Sequence, residues 1–177
     1  QTFGSEPKLC LVDNGGWSAG GTNLLRLTEI TGTASSPVWS ATAGSPYAGS
    51  GFFFVTNVFS WSQVDASQLG TAIGIETNDP RMINAVFRNG RIWCTHSGAL
   101  PVATPDRTAV FWYQLNPAAM PTPIVQSGVL DGGANVHHFF PSITANAGND
   151  AFIGFSRSDP TRFAEAVYTG RMAADPL

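Results

Sequence analysis

Residues 139–159, FFPSITANAGNDAFIGFSRSD, alternate apolar and polar positions, break at Asn146-Ala147-Gly148-Asn149-Asp150, and alternate again. A period of two places alternate side chains on opposite faces of a strand. Asn and Gly at the break tolerate the positive φ that a tight hairpin needs. The stretch therefore predicts a β-hairpin. Residues 83–98, INAVFRNGRIWCTHSG, carry the same pattern around Asn89-Gly90. In both segments the second strand is read as ending in a polar loop, Ser-Gly-Ala-Leu-Pro and Ser-Arg-Ser-Asp-Pro. A third strand follows each, TAVFWYQLN over 108–116 and RFAEAVYTG over 162–170, and the earlier copy adds a fourth, TPIVQSGVL over 122–130.

The N-terminal part fits the same frame. PKLCLVDNGG matches a second strand, TNLLRLTEITG a third and SPVWSATAG a fourth. Serial four-stranded antiparallel meanders are the sequence signature of a β-propeller, whose blades bury both faces against their neighbours. The expected class is thus all-β, with a partial propeller as the architecture and a β-sandwich as the alternative. The expected divisions are a partial blade over 1–44, an irregular insert over 45–80, a full blade over 81–134 and a partial blade over 135–177. The only segment with a helical reading is VDASQLG, 64–70, with Asp65 as its cap.

Composition agrees with short strands and tight turns. Of 177 residues, 43% are hydrophobic and 12% charged, about half the usual charged share of roughly 25%. The net charge of −3 and the single lysine, Lys8, give no basic footprint for nucleic acid. No apolar run approaches the roughly 18 residues of a membrane-spanning helix. Gln1 in place of an initiator Met fits a processed secreted or periplasmic chain, or a segment of a longer one. Cys10 and Cys94 each sit in an apolar run. Matching Gly15 to Gly98 puts them one residue out of register on equivalent strands, hence on opposite faces, and predicts two free thiols.

The stretches RNGRIWCTHSG (88–98), DRTAVFWYQLNP (106–117) and HHFFPSITANAGNDAFIGFSRSDPTRFAEAVYTGR (137–171) resemble a group of bacterial secreted proteins with sialidase-like or related β-propellers, mostly of unassigned function. LLRLTEITG and TNDPRMINAVFRNG resemble the same group less distinctively. The resemblance implies Asp-box turns, which are structural, and this chain matches them only in part. Thr144, Asn146 and Gly148 are followed by Phe152 one place late, and the other turn keeps only Gly90 and Trp93.

In such a frame one rim gathers the loops 77–82, 96–108, 135–141 and 156–162. Its polar residues are Asp79, Arg81, His96, Asp106, Arg107, His137, His138, Arg157 and Asp159. Arginines suit a carboxylate or phosphate, and His with Asp suits proton transfer. The same residues also serve as turn formers or solvated side chains, the reading taken for Asp106, Asp159, Arg107 and Arg162. Trp17, in the Gly-rich DNGGWSAGG, could stack a sugar ring. The expected ligand-binding set is Trp17, Asp79, Arg81, His96, His137, His138 and Arg157.

No catalytic set stands out. There is no G-x-S-x-G elbow, and Tyr113 and Tyr168 lie in third strands, away from channel-lining positions. His137 and His138 are adjacent, so a strand turns them apart and they suit a shared metal poorly. Neither a metal nor a cofactor is expected. The function so read is a non-catalytic binding or structural module for carbohydrate or another protein, with a fragment of a sialidase-like glycoside hydrolase as the alternative. Three blades cannot close a ring. Self-association, such as two copies forming a six-bladed ring, or further blades in a longer chain, is the expected consequence.

Overall fold

The computed structural model describes residues 9–14, 24–33, 35–39, 52–55, 59–119 and 124–176. The protein is all-β: thirteen strands and no helix occur among these residues. Among the described residues every strand pairing is antiparallel, and no sheet closes on itself.

The first sheet contains β1 (Leu9–Asn14), β2 (Leu24–Thr33), β3 (Ser36–Trp39) and β4 (Phe52–Val55). β1 runs along one side of β2, while β3 and β4 share its other side end to end. A small hairpin follows, β5 (Ala66–Gln68) and β6 (Thr71–Ile75). The middle sheet is a four-stranded meander of β7 (Met82–Arg88), β8 (Arg91–Leu100), β9 (Arg107–Leu115) and β10 (Ile124–Leu130). The last sheet is a three-stranded meander of β11 (His137–Ala145), β12 (Ala151–Asp159) and β13 (Arg162–Arg171).

Three sequence expectations are corrected. Within 64–70 the chain forms strand at 66–68 and turn at 69–70 instead of helix, because Gly70 sits at φ 84° and returns the chain so that Gln68 faces Thr71 and Ala66 faces Ile75. The region 45–80 is not simply irregular, since it holds β4, β5 and β6. β8 does not end in a polar loop at Ser97 but continues to Leu100, pairing Gly98 with Ala109 and Ala99 with Thr108. A glycine is needed at 98, where a Cβ would lie 2.8 Å from the Phe111 ring.

The core lies on both faces of the middle sheet. On one face Ile92, Cys94, Phe111 and Tyr113 pack with Phe59 and with Leu25 and Leu27 of β2. On the other, Trp93, Val110 and Trp112 pack with Ile143, Ala151 and Ile153 of the last sheet. Two-sided packing leaves β8 buried from Ile92 to Ala99 and β9 buried from Thr108 to Leu115. Cys94 is a free, fully buried thiol, and burial pushes its pKa far up. The Cys10 side chain lies outside the described residues.

The middle and last sheets are locked at matched turns. Asn89 and Gly90 both have positive φ, 50° and 70°, as a two-residue hairpin turn of the primed kind requires. The Asn89 side chain donates to the carbonyl of Ala147 at 2.8 Å and to Asn149 Oδ1 at 3.1 Å, within the β11–β12 turn. Further along, the Ile143 N–H donates to Asn84 Oδ1 at 2.8 Å.

Candidate functional site

Strand direction brings four segments to one end of the middle and last sheets. They are the approach to β7 (77–81), the β8–β9 loop (101–106), the β10–β11 loop (131–136) and the tip between β12 and β13 (160–161). The β5–β6 turn joins them, with the Leu69 N–H donating to the Arg162 carbonyl at 2.9 Å.

One polar group here centres on Arg107 at the start of β9. Its Nε and Nη2 donate to the two Asp131 carboxylate oxygens, both at 2.8 Å, and Nη1 donates to Asp106 at 2.9 Å. A planar guanidinium suits this two-point grip. Asp131 also accepts the Gly133 N–H at 2.9 Å. Arg107, followed by the backbone bond from Gly133, holds the Asp131 carboxyl below its ordinary range, against the opposing effect of partial burial. The arginine side chain is only 15% exposed, which corrects its reading as a solvated residue.

His137 and His138 open β11 beside this group. His138 shares a hydrogen bond with the Leu130 carbonyl through Nδ1 at 3.0 Å, and its ring tilts against Phe155. His137 is 3% exposed, and its Nδ1 has no hydrogen-bond partner among the described residues. It pairs across the strands with Ser158, whose Oγ is buried and likewise unpartnered. Burial is the main cause that lowers the pKa of both imidazoles, so neutral rings are favoured.

Other charges at this end pair across adjacent strands or within turns. Arg157 donates from Nε and Nη2 to Glu165 on β13, at 2.9 and 2.6 Å. Asp159 accepts from the Thr161 N–H and hydroxyl and pairs with Arg162 at 2.8 Å. Arg81 donates to Asp79 at 2.6 Å across an exposed turn. These contacts fix loops and strand ends.

His96 is not on this end of the sheets. It is fully buried among Phe59, Phe111 and Tyr113. Its Nδ1–H donates to the Ser97 carbonyl at 2.7 Å, and the Tyr113 hydroxyl donates to Nε2 at 3.2 Å, an assignment that satisfies both ring nitrogens. Burial pushes its pKa down to about 4. Trp17 lies outside the described residues. The structure thus gathers His137, His138 and Arg157 near one end, leaves Asp79 and Arg81 paired with each other, and places His96 in the core.

Sequence reading missed Asp131 and Glu165, the partners that engage Arg107 and Arg157. Asp131-Gly132-Gly133 was legible as a turn, but its arginine lies 24 residues away. A cleft of about 330 Å³ also runs between Trp112, Leu130, Thr169 and Arg171, closed by Asp175 and Pro176. Arg171 is committed there to Gln126 and to the carbonyls of Asp175 and Pro176, so it clamps the C-terminal segment.

Among the described residues no group of three or more His, Cys, Asp or Glu is placed to hold a metal ion. None of their elements is a helix long and apolar enough to cross a membrane. Comparison with known proteins gives no match to any family model, curated protein or solved structure. The sialidase-like resemblance therefore rests on the sequence motifs alone.

Proposed function

We propose that the chain is a non-catalytic binding or structural module of β-propeller type, secreted or periplasmic, that presents its loop end to a carbohydrate or protein ligand. The observation that carries this reading is the two-sided burial of a four-stranded meander between two further antiparallel sheets, with the Asn89 bond joining matched turns. Stacked meanders of this kind are how propeller blades exclude water from both faces. Such a scaffold holds loops rigidly, and rigidly held loops are where binding residues collect.

The charges at the loop end support binding over turnover. Arg107, Arg157 and Asp159 are each engaged by an opposite charge from a neighbouring strand or turn. A ligand would meet a preformed polar surface, beneath which the His137 ring is buried. Tyr113 is buried in the core on His96, and Tyr168 lies on the outer face of the last sheet, so neither suits the nucleophile of a sialidase-like hydrolase.

A glycan array run beside a panel of glycoside substrates tests the reading. The expected result is binding without turnover, with its loss on Trp17→Ala locating the site on the Gly-rich loop. Turnover that disappears in Asp79→Ala or Arg81→Ala would replace the module with a hydrolase fragment.

A further inference from the structure

Asn89 and Gly90 form the two-residue turn between β7 and β8, at the end of the middle sheet opposite the loops. Both are exposed, and both have positive φ, 50° and 70°. The Asn89 amide holds this turn to the last sheet. Its Nδ2 donates to the Ala147 carbonyl at 2.8 Å and to Asn149 Oδ1 at 3.1 Å, and lies 3.4 Å from the Asn146 carbonyl. All three partners are acceptors. The contact therefore works only while position 89 carries N–H groups.

The same residue lies beside a nucleophile. The peptide nitrogen that follows it belongs to a glycine, so no Cβ shields it. Nothing lies within 4 Å of the Cβ position of Gly90, and the β7–β8 ladder ends at Arg88 and Arg91, leaving the turn outside it. Attack of the Gly90 nitrogen on Asn89 Cγ forms an N–Cγ bond. The Cγ–Nδ2 bond breaks, and ammonia leaves with the Gly90 amide proton. Water then opens the resulting cyclic imide at either carbonyl. Opening at Cγ leaves aspartate. Opening at the backbone carbonyl leaves isoaspartate, with the chain running through the former side chain. The net change is amide and water to acid and ammonia, with no oxidation or reduction.

We propose that Asn89 is a deamidation site gated by the contact between the middle and last sheets, and that the reaction unlocks this contact irreversibly. Closing the imide carries Nδ2 off the Ala147 and Asn149 oxygens, so the turn reacts when this end of the two sheets parts. Neither product restores the donor. An aspartate carboxylate only accepts, and it would face the same three oxygens. Isoaspartate adds a backbone carbon to a turn that depends on its φ values of 50° and 70°. The bond from Ile143 to Asn84 and the core of Trp93, Ile143 and Ile153 still join the sheets. The change is thus a loosening of one end. The proposal is independent of any ligand at the loop end.

The test incubates the 177-residue chain in mildly alkaline heavy-oxygen water beside the free peptide VFRNGRIW, residues 86–93, and maps both by mass spectrometry. The expected result is heavy oxygen at position 89 of the chain, as aspartate and isoaspartate, gained about tenfold or more slowly than in the peptide. Asn89→Asp reproduces the aspartate product. At neutral pH it should unfold about 2–4 °C below the parent. That gap should narrow as the pH falls through the carboxyl range, where the protonated acid regains a donor for the Ala147 carbonyl. Asn89→Ala lacks a donor at every pH, so its gap should stay constant. A chain still unlabelled when the peptide has fully converted overturns the proposal. So does labelling as fast as the peptide's, which would mean that the amide is not held across the sheets. An Asn89→Asp chain as stable as the parent, or one whose gap ignores pH as that of Asn89→Ala does, overturns the unlocking.

Discussion

The middle and last sheets are both antiparallel meanders, yet they hold their aromatic residues in opposite circumstances. Trp93 and Trp112 are sealed between two sheets, whereas Phe152 and Tyr168 hold the matching positions in the open. Position within a meander therefore does not set how much a residue stabilises the fold. What covers that position does.

The largest test of this contrast is a pair of truncations. Trp93→Ala should destabilise the fold by about 3–5 kcal/mol, since it opens a cavity between two sheets that can collapse only in part. Phe152→Ala at the matching position should cost under about 1 kcal/mol in the monomer. Urea denaturation of dilute protein measures both. Equal losses would show that the two positions are equally covered.

A second test uses the two sheets' histidines. His96 of the middle sheet has its pKa lowered from 6.5 to about 4 by burial. The unfolded chain therefore binds a proton at mildly acidic pH that the folded chain refuses. Stability is full above about pH 6.5, falls as the pH drops toward 4, and then levels, a change of about 3 kcal/mol. Unfolding followed from pH 7 to 4 should show that slope, and His96→Gln should flatten it whatever its own stability. His137→Gln in the last sheet should remove less of it, because that ring lies at a strand end near the loops. A wild-type stability unchanged between pH 7 and 4 would mean that His96 is hydrated.

The smallest expected effect is at the loop end. Asp131→Asn should cost about 1 kcal/mol, because the two-point grip of Arg107 is partly shielded from solvent. Arg107 depresses the Asp131 pKa, so this contribution is present above the ordinary carboxyl range and fades as pH falls through the lowered value. Glu165→Gln, which weakens the more exposed pair with Arg157 in the last sheet, should change stability less. A double-mutant cycle at each pair separates the interaction from the side effects of substitution.

The all-β class was legible because period-two alternation and Asn-Gly chemistry are local signals. Residues 141–158 carry both, and β11 and β12 form there. The position of His96 was legible in principle as well. Even-numbered residues of β8 face the core with Ile92 and Cys94, and His96 falls in that series. It was misplaced because Ser97-Gly98 looked like the start of a loop, whereas Gly98 is there to admit the Phe111 ring. The pairing of β4 with β2 and the reach of Arg107 to Asp131 were not legible. Both are set by how separate segments meet, and no local pattern records it.

The hydrogen bond from Ile143 to Asn84 joins residues 59 apart, while Thr95 reaches Phe111 within one hairpin across 16. For a flexible chain the entropy of closing a loop grows only with the logarithm of its length. Closing the longer of these loops in place of the shorter costs about 1 kcal/mol more. In polymer terms, bringing one sheet onto the next is scarcely harder than bringing one strand onto the next. The stack can therefore be lengthened sheet by sheet with little entropic resistance, and its length is governed by whether each new face finds a cover.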